Sequence, residues 1–180
     1  GGSGVKRLLM TLASVAFTAP VLAVDAPPPA MDVPMMVERA DAAGLVHSYT
    51  GGWEYFVGGG AASFDCNGDR KPDLFIAGGT SAAALFVNTS KAGGDITFQR
   101  QTIEIDDGLL TNVSGAYPLD IDNDGYQDIV VLRVGRNLVL KGGPDCRFDN
   151  AARAFSFDGG REWTTAFSAT FEPEQTFPTM

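Results

Sequence analysis

Two nine-residue acidic loops, 55 residues apart, constrain this chain more than any other feature. Asp120-Ile121-Asp122-Asn123-Asp124-Gly125-Tyr126-Gln127-Asp128 places carboxylates at loop positions 1, 3, 5 and 9, with glycine at position 6. Upstream, Asp65-Cys66-Asn67-Gly68-Asp69-Arg70-Lys71-Pro72-Asp73 sets oxygen side chains at the same four positions. Acids packed this closely repel one another unless something positive sits among them. Ca²⁺ does this well, taking about six to eight oxygens from carboxylates, amides, carbonyls and water. The Tyr126 carbonyl, at position 7, offers a backbone ligand, and Gly125 tolerates the positive φ of a tight turn. A solvated acidic turn is the plain alternative for one such loop. Two matched copies make chance a poor explanation.

An EF-hand is the obvious competitor, and it fails on sequence. That loop closes with a bidentate Glu at about its twelfth position and lies between helices. Here the twelfth residues are Ile76 and Val131, and apolar β-formers follow each loop (Leu74-Phe75-Ile76-Ala77 and Ile129-Val130-Val131-Leu132). The loops therefore join strands.

What surrounds the loops repeats with them. Small residues lead into each one: Gly59-Gly60-Ala61-Ala62-Ser63-Phe64 and Ser114-Gly115-Ala116-Tyr117-Pro118-Leu119. Such residues suit an inner strand crowded by its neighbours. In the first copy, strands are expected over 73–77, 83–88 and 96–103. In the second they are expected over 128–134, 137–140 and 146–150, with a loop over 141–145. Four short strands with short connections make a propeller blade, so the expected class is all-β: a β-propeller fragment with two complete four-stranded blades and a partial third. Phe167-Ser168-Ala169-Thr170-Phe171-Glu172 begins that third copy, without the acidic pattern. Two blades and a part cannot close a ring, so the remaining blades are expected outside this chain.

The expected organisation runs in six parts. Residues 1–23 form a signal peptide with a leading Gly-Gly-Ser-Gly scar, and 24–34 a Pro-rich linker. An entry segment covers 35–58, the first blade 59–103, the second blade 104–153 and the truncated third 154–180. Within the entry segment, 35–43 reads as a short strand or a helical turn, with strand-then-turn favoured and Gly44 as the stop. Tyr49, Trp53, Tyr55 and Phe56 are expected in a core, and the lone His47 is read as structural or surface.

Lys6-Arg7, a mostly apolar stretch over 8–22 and Val21-Leu22-Ala23 fit a secretory signal cleaved after Ala23. Thr11, Ser14, Thr18 and Pro20 interrupt the stretch, so no stable membrane span is expected after cleavage. The expected location is secreted, periplasmic or at the cell surface, where calcium is plentiful. A formal net charge of −9 argues against nucleic acid, and two Ca²⁺ at two charges each would bring it to −5. Oxidising surroundings allow Cys66 and Cys146 to pair, but their spacing leaves two separate thiols equally open.

The Asp-x-Asn-Gly-Asp-x-x-x-Asp-Leu and Asp-x-Asp-x-Asp-Gly-x-x-Asp-Ile runs resemble FG-GAP (VCBS-type) repeats, the integrin-α-like propeller blades. Gly58-Gly59-Gly60, Phe75-Ile76-Ala77-Gly78-Gly79 and Leu85-Phe86-Val87-Asn88 are similar to the exported UnbV/cartilage-acidic-protein-like subgroup, over roughly 44–170. The resemblance implies seven blades when complete and calcium in two loops. By position the ligands would be Asp65, Asn67, Asp69, the Lys71 carbonyl and Asp73, then Asp120, Asp122, Asp124, the Tyr126 carbonyl and Asp128. Arg70 departs from the pattern by standing where the family has glycine, which favours the second site; the third blade is expected to be metal-free.

The expected function is an exported calcium-binding module for extracellular binding or adhesion, its ligand an extracellular protein or glycan. The alternative is the propeller portion of a secreted enzyme acting on polysaccharide or another polymer. The absence of Gly-x-Ser-x-Gly, His-Glu-x-x-His and Cys-x-x-Cys-His runs leans away from an enzyme. The acid pairs Asp106-Asp107 and Glu172/Glu174 read as solvated turns, and fold alone does not decide.

Overall fold

A computed structural model of the chain describes residues 1–2, 31, 33–106 and 108–180. The signal stretch and most of the Pro-rich linker lie outside the described residues. The chain falls into two units, Gly1–Met36 and Val37–Met180. In the first, the described residues are exposed and carry no helix or strand. The second holds two antiparallel sheets of four strands and almost no helix.

It opens with one helical turn, α1 (Ala40–Ala43), the less favoured of the two readings of this segment. Local chemistry explains the difference. Ala-Asp-Ala-Ala favours helix, and the Glu38 carboxylate accepts the Ala40 N–H at 2.6 Å. Gly44 ends the turn in the left-handed region at φ 83°, as a C-terminal glycine does.

The first sheet contains β1 (Ala61–Phe64), β2 (Asp73–Ile76), β3 (Ala84–Asn88) and β4 (Phe98–Thr102), hydrogen-bonded in chain order. A short hairpin follows, β5 (Glu104–Ile105) with β6 (Gly108–Leu109). The second sheet is β7 (Val113–Leu119), β8 (Asp128–Arg133), β9 (Leu138–Gly143) and β10 (Arg147–Asn150), again an antiparallel meander. This all-β arrangement is consistent with a β-propeller-like fragment. Each acidic loop joins the first strand of a sheet to the second.

β9 runs further than expected, so 141–143 is strand rather than loop. Gly142 pairs with Phe148 on β10, and its N–H is held by the Asp128 carboxylate. Beyond β10 the chain makes turns and two isolated bridges, Val134 with Trp163 and Thr170 with Thr179. No third sheet forms there.

The innermost strands of the two sheets lie side by side. The Gly60 N–H donates to the Ser114 carbonyl at 3.2 Å. A Cβ on Gly60 would come within 3.0 Å of the Gly115 Cα, which is why small residues fill this seam. Outer strand β4 carries polar Gln99, Arg100 and Gln101, a sequence suited to an exposed sheet edge.

The main core lies between the sheets, around Phe64, Phe75, Leu85, Ile129, Val131 and Leu140. Val130, Leu132, Val139 and Ile121 form a second cluster on the other face of β8–β9, covered by Phe155, Phe157 and Phe167. The centre of the second sheet is thus buried on both faces, matching its unbroken apolar run. A disulfide between Cys66 and Cys146, with Cα atoms 4.8 Å apart, fastens the first loop to the turn before β10. It links the two sheets covalently.

The aromatic entry segment divides between core and solvent. Tyr55 is buried and Tyr49 packs against the main core, donating from its hydroxyl to the Tyr55 carbonyl at 3.0 Å. Trp53 and Phe56 are exposed, contrary to expectation. Trp53–Tyr55 is a 3₁₀ turn of three residues, so only one of its side chains can face inward. Trp53 instead meets the ring of Trp163 edge-on at 5.3 Å. His47 packs edge-on against Phe86 and donates from Nε2 to the Ala77 carbonyl at 2.9 Å.

Candidate metal centre

Both acidic loops turn by the same device. Residues four and six of each are left-handed: Gly68 and Arg70 in the first, at φ 76° and 66°, and Asn123 and Gly125 in the second, at 58° and 91°. These turns direct backbone N–H groups inward onto the leading carboxylate. Asp65 accepts from Gly68 at 2.8 Å and from Arg70 at 2.7 Å. Asp120 accepts from Asp124 at 3.1 Å and from Gly125 at 3.0 Å. At position 7, the N–H groups of Lys71 and Tyr126 donate to Asp69 and Asp124, both at 2.9 Å.

The ninth residues, Asp73 and Asp128, are fully buried and act as braces. Asp73 accepts from the Cys66 N–H at 2.9 Å and from the Asn88 N–H at 2.7 Å. Asp128 accepts from Ile121 and Gly142, each at 2.9 Å. Each carboxylate therefore fastens the start of its loop to the third strand of its sheet. Burial pushes the Asp128 carboxyl above its ordinary range, with the two N–H groups opposing that shift. Asp73 also lies 2.9 Å from Cys66 Sγ, but the sulfur is in the disulfide and has no proton to donate. Cys66, Asp73 and Cys146 come together as a bridged pair of sulfurs beside a strut. Disulfide sulfurs are not thiolates, so this is no thiolate metal site.

The loops differ in what they gather. Donor oxygens of Asp120, Asp122 and Asp124 all lie within 4.8 Å of one another. Asp122 Oδ1 is buried and lacks a hydrogen-bond partner among the described residues. Lys141 reaches in from β9, its ammonium paired with Asp122 Oδ2 and, at 2.5 Å, with Asp124 Oδ2. That pairing, with the Tyr126 N–H, holds the Asp124 carboxyl below its usual range. The two carboxylates raise Lys141 above the ordinary lysine value. In the first loop Asn67 replaces the middle acid and accepts the Asp69 N–H at 3.1 Å. Lys71 pairs with Asp69 at 3.1 Å at the surface, and its N–H lowers the Asp69 carboxyl. The first loop therefore brings no trio of acids together at positions 1, 3 and 5, because the middle one is Asn67.

The second loop fits a hard divalent cation: its donors are oxygens, three are ionisable, and one buried oxygen is unpartnered. Asp120, Asp122 and Asp124 would hold such an ion, with Asp128 bracing the loop behind them. Both loops open on the same side of the molecule. Asp65 and Gly68 of the first, and Gly125, Tyr126 and Gln127 of the second, line one groove. Lys141 escaped the sequence reading because it was placed in a loop. Its signal was a lone charge next to the apolar run Leu138-Val139-Leu140.

No curated protein and no solved structure matches the chain. One family model does, over residues 65–131, the stretch from the first residue of the first loop into β8. That stretch, with both acidic loops, is similar to an FG-GAP-like repeat.

Proposed function

We propose that this chain is part of an exported FG-GAP propeller, integrin-α-like in its blades, whose acidic loops hold structural calcium. Completed by further blades, it presents loops to an extracellular protein or glycan. The observation that carries the calcium reading is the convergence of Asp120, Asp122 and Asp124 around the unpartnered, buried Asp122 Oδ1. Calcium supplies two positive charges there and cancels the repulsion among the acids. The chain does the rest: left-handed Asn123 and Gly125 aim the loop, and Asp128 anchors it to β9.

A ligand that binds only the native state stabilises it by about 2.7 kcal/mol at a hundredfold excess over Kd. Against a typical total of about 5–15 kcal/mol, two such sites matter. Export accords with this role, and among the described residues no helix is long and apolar enough to cross a membrane. The test is melting with calcium and with EDTA. A higher Tm in calcium supports the reading; coincident curves remove it. Glycan-array binding without turnover supports the adhesion role, and depolymerisation of a bound polymer favours the enzyme alternative.

A further inference from the structure

We propose that Lys141 is a tethered counter-ion that competes with calcium for the second loop and so sets that loop's affinity. The proposal rests on the calcium reading above and concerns a residue outside the loop itself.

Lys141 lies on β9, and its ammonium bridges Asp122 and Asp124, two of the three converging acids. The matching place in the first blade is fixed by register. Ile129 pairs with Leu140 as Leu74 pairs with Phe86, and the next N–H but one, Gly142 or Asn88, donates to the ninth Asp. Lys141 therefore corresponds to Val87, and the first blade has no strand-borne cation at that position. Its loop also has one acid fewer, since Asn67 stands where Asp122 does. The extra charge and the extra ammonium occur together.

Two cations cannot share oxygens this close together, because like charges at contact distance repel strongly even where solvent screens them. A lysine stem is flexible, and the loop faces solvent, so the ammonium can leave for water as an ion arrives. Without metal, Lys141 keeps the three acids from forcing the loop apart. With metal, its two ion pairs are lost, and that loss weakens the apparent affinity.

Calcium titration by calorimetry tests this in an Asp69→Asn background, which disables the first loop, comparing Lys141, Lys141→Met and Lys141→Arg. Methionine keeps the stem length without the charge. The expected result is calcium binding about tenfold tighter in Lys141→Met, about 1.4 kcal/mol, with Lys141→Arg close to the parent. In EDTA, Lys141→Met should melt below the parent, and calcium should raise its Tm by more. Binding in the parent with unchanged or weaker affinity in Lys141→Met overturns the proposal but leaves the calcium reading standing. Binding in Lys141→Met alone supports it in its strongest form. No binding in any of the three overturns both.

Discussion

Asp128 and Gly142 are joined by a buried carboxylate–amide hydrogen bond of 2.9 Å, and Asp73 and Asn88 repeat it at 2.7 Å in the first sheet. The last acid of each loop thus belongs to the fold as much as to any ion. It ends the loop, starts the second strand and grips the third. An acidic residue at zero exposure persists because two backbone N–H groups satisfy it.

Removing either brace should therefore harm the protein without reference to metal. Asp128→Ala leaves the Ile121 and Gly142 N–H groups unpaired, at about 1–3 kcal/mol each. Urea unfolding in EDTA should show a loss of about 2–6 kcal/mol. Asp122→Ala, which frees no backbone donor, should lose much less under the same conditions. Equal losses would contradict the brace.

Arg70 holds a left-handed conformation that costs an L-residue about 1–2 kcal/mol. Arg70→Gly should relieve most of that and raise Tm. Gly125→Ala should impose a similar cost, and purely through the backbone, since an added Cβ there meets nothing within 4 Å. The two substitutions should move Tm in opposite directions.

The positions that sequence made legible are those where one local rule dominates. The alternation of acids and glycines marked both loops, and the small residues before them marked the inner strands, where Gly60 abuts Gly115. Positions decided by distant partners were not legible. Cys66 and Cys146 are 80 residues apart, and only the packing of the two sheets brings their Cα atoms to 4.8 Å. Trp53 and Phe56 look like core residues by type, but a 3₁₀ turn admits only Tyr55. Lys141 gained its role when β9 continued past Leu140 to satisfy Asp128. In the candidate site, residue types could be read ahead, whereas the division of labour between Asp122 and Asp128 needed coordinates.

The disulfide closes a long chain loop, and bridges of this kind typically contribute about 2–4 kcal/mol. A double Cys66→Ser, Cys146→Ser variant should lose that much in urea unfolding. The untreated protein should show no free thiol when denatured without reductant. A free-thiol count of two would contradict the pairing.

Burial raises the phenol groups of Tyr49 and Tyr55 above the ordinary value of 10.0. Below pH 10 both states keep these protons, and the contribution to stability is fully present. As pH rises past 10, the unfolded chain loses them first, so folding weakens until the folded groups titrate too. Tm should therefore fall as pH rises above about 10, the ordinary tyrosine value. Tyr49→Phe should flatten that fall. A wild-type Tm that does not decline there would contradict the assignment.

The most direct test is isothermal titration of calcium into the full chain and into Asp124→Ala and Asp69→Ala. Saturable binding is predicted for the wild type, with Asp124→Ala losing more of the calcium-dependent rise in Tm than Asp69→Ala. A flat titration of the wild type, with Tm unchanged by EDTA, would contradict the account.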